Sequence, residues 1–351
     1  MKLIKKITVA VLIIATVALN LVSCGLFSKQ KFTKHSFECF DTLSTVIGYE
    51  YFKGGFDTIA ERIVDRLLEY HRLYDIYNEY DGITNLATLN KAAGRGVALK
   101  VDKKIVDLLL FAKEAHTLTG GEVNVAFGSV LSLWHDCRVA AKADPDEATL
   151  PSPSALLSAS MNTDISKIVI DEKSSTVEIT DPGVKIDVGA VAKGYATEMV
   201  ARELENEGIS GYILNIGGNV RVVGSNPDGE PFGVGIEDPR KGNTDYLAIV
   251  GLRGASVVTS GSYQRFFTVG GKNYHHIIDK DTLYPAEGYV SVSVICPDSG
   301  LADVLSTALF LMSLDAGEDL INSIDGAEAL WLLPDGIVKT TKGFNAFEVD
   351  K

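Results

Sequence analysis

The sequence contains few cysteines, and their spacing gives them no joint role. Its 351 residues include four cysteines, Cys24, Cys39, Cys137 and Cys296, and none forms a Cys-x-x-Cys pair. This pattern argues against a zinc site and against a disulfide framework, because only three widely spaced cysteines follow residue 24. We expect these three to be small apolar side chains in the core.

Positive charge is also scarce. The chain has 33 basic and 46 acidic residues, a net charge of −13. Residues 1–23 carry three lysines and no acid, so their removal changes the net charge from −13 to −16. Such a chain repels nucleic acid, and no Lys/Arg cluster is dense enough to follow a phosphate backbone. We expect no nucleic-acid partner.

Two common nucleotide-binding motifs are missing as well. The sequence has neither a G-x-G-x-x-G fingerprint nor a Walker A loop. It also shows no internal repeat and no low-complexity segment, which argues against a solenoid or a disordered scaffold.

A long, largely apolar run is present at the N-terminus, from Ile7 to Val22 after three lysines. It ends in the segment LVSCG, residues 21–25, which resembles a bacterial lipobox. We therefore predict a signal peptide over residues 1–23, lipidation of Cys24 and a polar tether over 24–36. The alternative is a plain membrane anchor with a cysteine nearby. Lipidation predicts a protein of the bacterial cell envelope, tethered at the extracytoplasmic face of a membrane.

The 328 residues left after removal of 1–23 are enough for one folded domain over 37–351, built as one or two lobes. Strands come in runs interrupted by a few helices, so we expect an α+β fold with mixed or antiparallel sheets and packed helices. Helices are predicted over 57–80, 103–118, 191–207, 301–313 and 316–325, and a surface excursion over 142–158. Strands are predicted over 45–51, 167–170, 176–180, 185–188, 212–216, 220–224, 232–236, 246–250, 256–259, 265–269, 289–295, 328–333 and 346–349.

The densest set of reactive side chains lies between residues 259 and 307, in TSGSYQRFF, YHHIID and ADVLST. Asp303, Ser306 and Thr307 share one side of an otherwise apolar helix. A carboxylate and hydroxyls there suit Mg²⁺. Equally, Asp303 can be a first-turn acid stabilised by the helix dipole, and spacing alone does not decide.

Two further segments contain candidate site residues. In KIDVGAVAKGYA, residues 185–196, a turn after Asp187 presents backbone groups and Lys193 to a phosphate, although an ordinary strand–turn–helix connection explains this segment better by itself. Of the neighbours His275 and His276, at most one serves a given pocket, because adjacent strand residues point to opposite faces.

Aromatic residues crowd the end of the first predicted helix. We expect Tyr74 and Tyr77 to pack in the core. Tyr80, beside Asp81 and Gly82, is the most available for a ligand.

Taken together, these segments resemble the ApbE family, the FAD:protein FMN transferases. The motifs that carry the resemblance are FDT (40–42), Tyr80 with the pair Leu89-Asn90, NVAFG (124–128), DVGAVAKGYA (187–196), NIGG (215–218), TSGSYQRF (259–266), HHIID (275–279) and ADVLST (302–307). The family resemblance implies an ApbE-like, T-fold-like architecture.

The resemblance also implies an activity and its residues. Such an enzyme uses Mg²⁺ to split FAD, links FMN by a phosphoester bond to a threonine or serine of an acceptor flavoprotein, and releases AMP. Asp303 and Thr307 are then the metal ligands, with the main-chain carbonyl of Ala190 and, in second rank, Ser306. His276 becomes the base that takes the proton of the acceptor hydroxyl. Asp303, as a metal ligand, is the second expected catalytic residue. The FAD contacts expected from the same resemblance are Phe40, Tyr80, Ala126, Phe127, Gly128, Asp187, Lys193 and Ile278.

Several positions depart from the family pattern. Lys280 and Leu283 replace a proline and a glycine in the turn after the histidines, Asn124 stands where aspartate is common, and Phe40 replaces methionine. Lys193 can balance phosphate charge or pair with Asp187. Two other functions remain open at this point: a Mg²⁺-dependent FAD pyrophosphatase, and a flavin-binding lipoprotein without enzymatic activity.

Overall fold

The computed structural model describes residues 28–240 and 245–349. The predicted signal peptide and Cys24 lie outside these ranges. Within them, no helix has both the length and the apolar character needed to cross a membrane.

The described residues form the following helices and strands. The helices are α1 (Lys53–Tyr74), α2 (Leu86–Ala92), α3 (Lys103–Leu118), α4 (Gly128–Ala143), α5 (Pro153–Ser160), α6 (Ala192–Asn206), α7 (Ser299–Leu311) and α8 (Leu314–Asn322). The strands are β1 (Gln30–Ser36), β2 (Ser44–Glu50), β3 (Leu99–Lys100), β4 (Ile168–Asp171), β5 (Thr176–Ile179), β6 (Tyr212–Ile216), β7 (Asn219–Val223), β8 (Phe232–Glu237), β9 (Tyr246–Leu252), β10 (Ser256–Gly261), β11 (Phe266–Val269), β12 (Lys272–His275), β13 (Ser291–Cys296), β14 (Glu328–Leu332) and β15 (Val338–Thr340).

A large antiparallel sheet organises the fold, in the order β1-β2-β6-β7-β10-β13-β14-β15. Every neighbouring pair in it is antiparallel. Smaller sheets are formed by β3-β5-β4, by β8-β9 and by β11-β12. The predicted α+β class with antiparallel sheets and packed helices is confirmed.

The centre of the large sheet is covered on both faces, so apolar residues of its strands pack on either side. On β13, Val292 and Val294 pack with α7 residues such as Leu305. Ile295, which points to the other face, packs with residues of the β8-β9 hairpin such as Val250. Alternate residues of a strand therefore enter different cores, as the period of two requires.

Helices α6 and α7 approach each other closely at Gly194. A Cβ built on Gly194 would clash with the Cβ of Asp303 and the carbonyl oxygen of Ser299. It would also lie 3.0 Å from Nδ2 of Asn219 on β7. Only glycine lets the backbone of α6 come this near to α7 and β7.

Buried charges join the same elements one turn further along α6. Glu198 and Arg221 are 2% and 3% exposed, and Arg221 Nε donates to Glu198 Oε2 at 2.9 Å. The same oxygen accepts the N–H of Ser299 at 2.8 Å, and Oε1 accepts from Arg202 Nε at 2.8 Å. Burial alone raises the pKa of Glu198, but these donors, chiefly Arg221, hold it below its usual value. The carboxylate therefore fixes α6 to β7 and to the start of α7.

Helix α1 ends earlier than predicted, at Tyr74 rather than near residue 80. Asp75 adopts extended backbone angles, and its Oδ1 accepts the N–H groups of Tyr77 at 2.7 Å and Asn78 at 3.0 Å. This local turn competes with further helical hydrogen bonds. At the other end, the helix begins at Lys53, four residues before its predicted start at residue 57.

The N-terminal boundary of the folded domain is also different. Residues 30–36, predicted as tether, form β1 and pair in register with β2 from Gln30↔Glu50 to Ser36↔Ser44. The tether prediction is wrong for these residues, because β1 supplies an edge of the large sheet.

Other predicted elements need correction. Residues 185–188 form no strand and make only an isolated parallel bridge between Lys185 and Phe127. Residues 346–349 contribute one bridge, Val250↔Glu348, beside a short 3₁₀ turn. Helices α4 and α5 shorten the predicted excursion over 142–158 to residues 144–152. The Ser152 hydroxyl caps the N-terminus of α5. Helix α3 matches its predicted bounds, 103–118.

The three cysteines in the described part of the chain are free thiols. Cys39 and Cys296 are buried, as predicted, whereas Cys137 is only partly buried. Burial raises the pKa of both Cys39 and Cys296 to about 11. These two thiols therefore pack in the core as small apolar side chains and are not reactive.

Replacement of Gly194 by alanine should destabilise the protein. The added methyl group meets backbone and Cβ atoms that cannot move aside, and we expect the free energy of unfolding to fall by about 1–3 kcal/mol. Urea unfolding followed by circular dichroism measures this. Gly54→Ala is the matched control, since Gly54 is an exposed helical glycine whose added Cβ finds nothing closer than 3.8 Å. Equal stability of the two variants would contradict the close packing of α6 and α7.

Replacement of Glu198 by glutamine should give a pH-dependent loss of stability. The folded-state pKa of Glu198 lies below the usual 4.5, so its ionised form stabilises the fold above about pH 4.5, and this contribution is lost as the pH falls below that value. At pH 7 we expect a loss of about 3 kcal/mol. The difference from the parent protein should shrink between pH 5 and pH 3, over roughly the range in which the glutamate gains a proton. A difference that stays constant down to pH 3 would show that Glu198 is not a paired carboxylate.

Candidate functional site

A cavity of about 230 Å³ collects residues from nearly every motif of the sequence. It receives Asp187, Ala190 and Lys193 from the segment before and at the start of α6, and Asp303 and Thr307 from α7. Strand β10, the following turn and the residues after β12 complete the wall with Thr259, Ser260, Gln264, Arg265, His275, His276 and Ile278.

Asp303 is the buried carboxylate of this cavity, with 4% of its surface exposed. Its Oδ2 accepts the Gly194 N–H at 2.8 Å and lies 3.5 Å from Lys193 Nζ. The other oxygen, Oδ1, accepts no hydrogen bond from the described residues. Asp298 occupies the N-cap of α7 and the first turn contains no acid, so the interpretation of Asp303 as a first-turn helix acid is wrong.

Thr307 lies one turn after Asp303 and also lines the cavity. Its Oγ1 is 3.2 Å from Ser260 Oγ, which is 2.9 Å from Ser306 Oγ. Ser306 itself is fully buried, donates to the Asp303 carbonyl at 3.0 Å, and does not line the cavity. The structure therefore places Ser306 behind the wall, where it positions Ser260.

The oxygen groups that line the cavity fit a hard divalent cation. Asp303 offers a carboxylate, Thr307 a hydroxyl and Ala190 a main-chain carbonyl, which are donor types that Mg²⁺ accepts together with water and phosphate oxygens. Within residues 28–240 and 245–349, no three or more His, Cys, Asp or Glu side chains group around a metal position. A set with one carboxylate is suited to Mg²⁺ and poorly suited to zinc.

Lys193 pairs with Asp303, and the predicted alternative of a pair with Asp187 is wrong. Asp187 instead accepts the N–H of Gly189 at 2.8 Å, and its own N–H donates to the carbonyl of Val125 at 2.8 Å. Burial raises the pKa of Asp187, and the Gly189 N–H opposes this shift. Its carboxylate thus holds the turn that presents Ala190.

The segment 124–128 forms the wall next to Asp187. Phe127 lines the cavity, whereas Ala126 is completely buried behind it. Gly128 begins α4, and a Cβ on it would lie 2.5 Å from the carbonyl oxygen of Lys185. Asn124 accepts the Ala126 N–H at 2.9 Å and donates from Nδ2 to the Thr163 carbonyl at 2.8 Å. The second hydrogen bond explains why position 124 is an asparagine, because an aspartate has no donor for the Thr163 carbonyl.

His276 presents its ring to the cavity. Nδ1 lies 3.2 Å from the carbonyl oxygen of Arg265, so Nδ1–H donates and Nε2 remains an acceptor. Solvent reaches the ring, but surrounding protein atoms, and after them the charges of Arg265, His275 and Lys193, lower its pKa to about 3. The imidazole is therefore neutral at physiological pH, and its Nε2 can accept a hydrogen bond from a donor placed against it.

His275 is held in a structural role. Its Nε2 lies 2.9 Å from the Ala286 carbonyl oxygen, and its ring packs edge-on against Phe310. Its Nδ1 accepts the N–H of Ile277 at 3.3 Å. Both histidines nevertheless line the cavity, so the prediction that at most one of them serves a given pocket is wrong: β12 ends at His275, and strand alternation does not extend to His276.

The turn after the histidines bends without the expected proline and glycine. Asp279 Oδ1 accepts the N–H groups of Asp281 and Thr282, each at 2.8 Å, and Leu283 takes a left-handed backbone conformation with φ of 63°. The Leu283 carbonyl accepts Trp134 Nε1–H at 3.0 Å. Lys280, in the position of the proline, lies 3.3 Å from Glu122 Oε1. Tertiary contacts hold the turn that glycine makes in the family pattern.

Four predicted FAD contacts are not among the lining residues: Ala126 and Gly128, which flank Phe127, and Phe40 and Tyr80. The Phe40 N–H donates to His71 Nδ1 at 3.3 Å, and the Tyr80 hydroxyl donates to Asp75 Oδ2 at 2.8 Å. Neither side chain lines the cavity, although Thr42, two residues after Phe40, does. Both belong to a cluster around His71 that supports the wall.

One side of the cavity wall, formed by α4 and by Tyr77 packed against it, was not predicted from the sequence. Tyr77, predicted as core, is 54% exposed and stacks on His135 with ring centroids 4.5 Å apart. Arg138 Nη2 donates to His135 Nδ1 at 3.1 Å, and Trp134 completes this side. The apolar positions 130, 134, 137 and 141 carry the helical spacing that predicts α4.

The chain is similar to several proteins of known activity. A FAD:protein FMN transferase of Treponema pallidum is 32% identical over 272 residues, covering 74% of this chain and 73% of that protein. One from Haemophilus influenzae is 28% identical over 347 residues, covering 97% and 95%.

Solved structures give the same result. The ApbE protein of Thermotoga maritima superimposes with a TM-score of 0.80 at 29% identity, covering 92% of this chain and 100% of that chain. The flavin transferase ApbE of Vibrio cholerae has the same fold, with a TM-score of 0.74 at 22% identity over 91% of this chain and 99% of that one. The model of the ApbE family matches residues 40–331, a span that contains the whole cavity. The chain belongs to the ApbE family.

Proposed function

We propose that the protein is a Mg²⁺-dependent FAD:protein FMN transferase. It moves FMN from FAD to a threonine or serine hydroxyl of an acceptor flavoprotein through a phosphoester bond and releases AMP. The curated relatives named above carry this activity in their names. The observation that carries the proposal is one cavity that holds both an oxygen donor set for Mg²⁺ and a neutral histidine with a free ring nitrogen.

Asp303, Thr307 and the carbonyl of Ala190 would hold the Mg²⁺. Bound there, Mg²⁺ supplies neutralisation of the negative charge on the diphosphate oxygens of FAD. Lys193, 3.5 Å from Asp303 Oδ2, adds a positive charge at the same place. The Lys193 ammonium group would contact a phosphate oxygen once the Asp303 carboxylate is shared with the metal.

His276 would act as the general base of the reaction. Nε2 takes the proton from the acceptor hydroxyl while that oxygen forms a bond to the phosphorus of the FMN part. The bond from this phosphorus to the oxygen of the AMP part breaks, and AMP leaves with the electron pair. Arg265 keeps the ring oriented through its carbonyl, because Nδ1–H donates to it.

The remaining wall would bind the substrate. Phe127, Asp187, Lys193 and Ile278 line the cavity and are proposed as FAD contacts. Ala126 and Gly128 support Phe127 from behind. Phe40 and Tyr80 act through the neighbouring wall around His71.

We also propose that Cys24 carries a lipid, after removal of residues 1–23. The lipobox-like segment LVSCG supports this, as does the run of apolar residues before it. The enzyme is then a lipoprotein of the bacterial cell envelope, in the periplasm or at another extracytoplasmic face. Its acceptor is a membrane or periplasmic flavoprotein with a threonine or serine in a flavinylation motif.

The proposed activity depends on Asp303. Incubation of the protein with FAD, Mg²⁺ and a candidate acceptor should give flavin fluorescence on the acceptor band in a denaturing gel. Asp303→Asn should reduce the rate by about 100-fold or more, because the only carboxylate of the proposed metal set loses its charge. It should also raise the Mg²⁺ concentration required for half-maximal rate.

Asp315→Asn, an exposed acid at the start of α8, is the control and should leave the rate unchanged. Three outcomes would contradict the proposal. Free FMN and AMP without labelled acceptor would indicate a pyrophosphatase, and bound but intact FAD in the presence of Mg²⁺ would indicate a flavin carrier. Full activity of Asp303→Asn would remove Asp303 from the metal site.

His276→Gln should separate catalysis from binding. We expect transfer to slow by about 10²–10⁴-fold, because the amide cannot accept the hydroxyl proton. FAD affinity, measured by quenching of flavin fluorescence, should change much less. His35→Gln, on the exposed edge strand β1, is the control. An equal loss of binding and transfer in His276→Gln would show that the histidine only shapes the cavity.

A further inference from the structure

Two aromatic side chains stand exposed directly after β2. Tyr51 is 57% exposed and Phe52 is 67% exposed, and they precede the first residue of α1. The pair is here called the aromatic patch. Single exposed apolar residues are ordinary, but two adjacent aromatic rings in a tight connection are a costly surface to leave in water.

The chain enters the folded domain beside this patch. Gln30, the first residue of β1, pairs with Glu50 at the end of β2. Lys29 extends its ammonium group over the Tyr51 ring at 5.8 Å from the centroid. Cys24 precedes Ser28 by four residues, which span at most about 14 Å when extended. A lipid on Cys24 would therefore lie near the aromatic patch.

The charges around the patch suit a lipid headgroup layer. Lys29 contacts the patch, Lys53 follows it in the chain, and Lys31 on β1 pairs with Tyr49, although the chain as a whole is acidic. Lys53 lies on α1 with 73% of its side chain exposed, 2.7 Å from Asp57. Lysines next to aromatic rings are typical of the membrane interface, because the rings reside at headgroup depth while the ammonium groups stay in water.

We propose that the aromatic patch rests in the interfacial layer of the bilayer that holds the Cys24 lipid, and that it sets the orientation of the domain on that membrane. This inference rests on the proposed lipid anchor. The acyl chains supply attachment, and the patch selects which end of the domain faces the lipid.

The orientation has a consequence for the cavity. Strand β2 runs from the patch towards Thr42, which lines the cavity at the opposite end. Seven residues of strand span roughly 20 Å. The cavity is therefore held away from the bilayer, and the acceptor hydroxyl must stand off the membrane surface by a similar distance.

Tryptophan fluorescence in bilayers tests the orientation. The full lipidated protein is placed in nanodiscs that contain acyl-brominated phosphatidylcholine, as Phe52→Trp and, separately, as Phe37→Trp. Phe37 is 75% exposed at the opposite end of the same β1-β2 hairpin, which makes it the matched control. The two native tryptophans are buried, at 4% and 0% exposure, so the parent protein gives a stable background.

We expect at least a twofold quenching of the added signal for Phe52→Trp and none for Phe37→Trp. In the double variant Tyr51→Asp/Phe52→Asp, crosslinking of Lys53 to headgroup amines of phosphatidylethanolamine nanodiscs should fall several-fold with unchanged thermal stability. Equal quenching at both positions, quenching only at Phe37→Trp, or no quenching at Phe52→Trp would overturn the proposal, as would a protein–protein crosslink at the patch to a second copy.

Failure of the anchor is recognised separately. Mass spectrometry of the N-terminal peptide reports whether Cys24 carries acyl chains, and the transfer assay with soluble acceptor reports the chemistry. A lipidated, active protein without quenching at Phe52→Trp therefore contradicts only the proposed orientation.

Discussion

The close contact between α6 and α7 at Gly194 is the constraint on which the site depends. Because no side chain separates the helices there, the Gly194 N–H reaches Asp303 Oδ2 at 2.8 Å and brings the neighbouring Lys193 to 3.5 Å from the same oxygen. One turn further along α6, Glu198 joins the N–H of Ser299 and the side chain of Arg221, so the two helices and β7 cannot slide past one another. A shift between the two helices would move Asp303 and Thr307, which both lie on α7, relative to Ala190, which precedes α6.

The same contact supplies the buried carboxylate of Asp303 with its partners. An isolated charge in such a place is costly, but Asp303 has an amide donor and a lysine at one oxygen. The other oxygen has no donor among the described residues. Of the two roles considered for Lys193 from the sequence, phosphate contact or carboxylate pair, the structure shows the pair, with Asp303 in place of Asp187 as the partner.

Much of the fold class was predictable because helix and strand periods are local properties of the sequence. Helix α3 matched its predicted bounds, since its apolar spacing and its terminal glycines agree. Predictions were wrong where tertiary contacts compete with local pattern. Asp75 ends α1 through its own side chain, and β1 is polar because it is an exposed edge strand, so its composition is that of a linker. In the site, Asp303, Thr307 and His276 were identified by motif, whereas Tyr77, His135 and Arg138 were missed because no motif marks the α4 side of the cavity.

The turn over residues 279–285 shows why part of the structure cannot be predicted from local sequence patterns. A leucine at φ of 63° is strained by about 1–2 kcal/mol relative to an ordinary backbone conformation. Here Trp134 Nε1–H donates to the Leu283 carbonyl, and the leucine side chain packs in the same cluster as Trp134. These contacts come from a helix nearly 150 positions away in the sequence and offset the strain that glycine avoids. The Lys280–Glu122 pair closes the other side of the turn, so a segment that departs from its family at two positions still delivers Ile278 to the cavity wall. The geometry of the turn is thus held by long-range contacts in place of local backbone freedom, and no local sequence signal reports them.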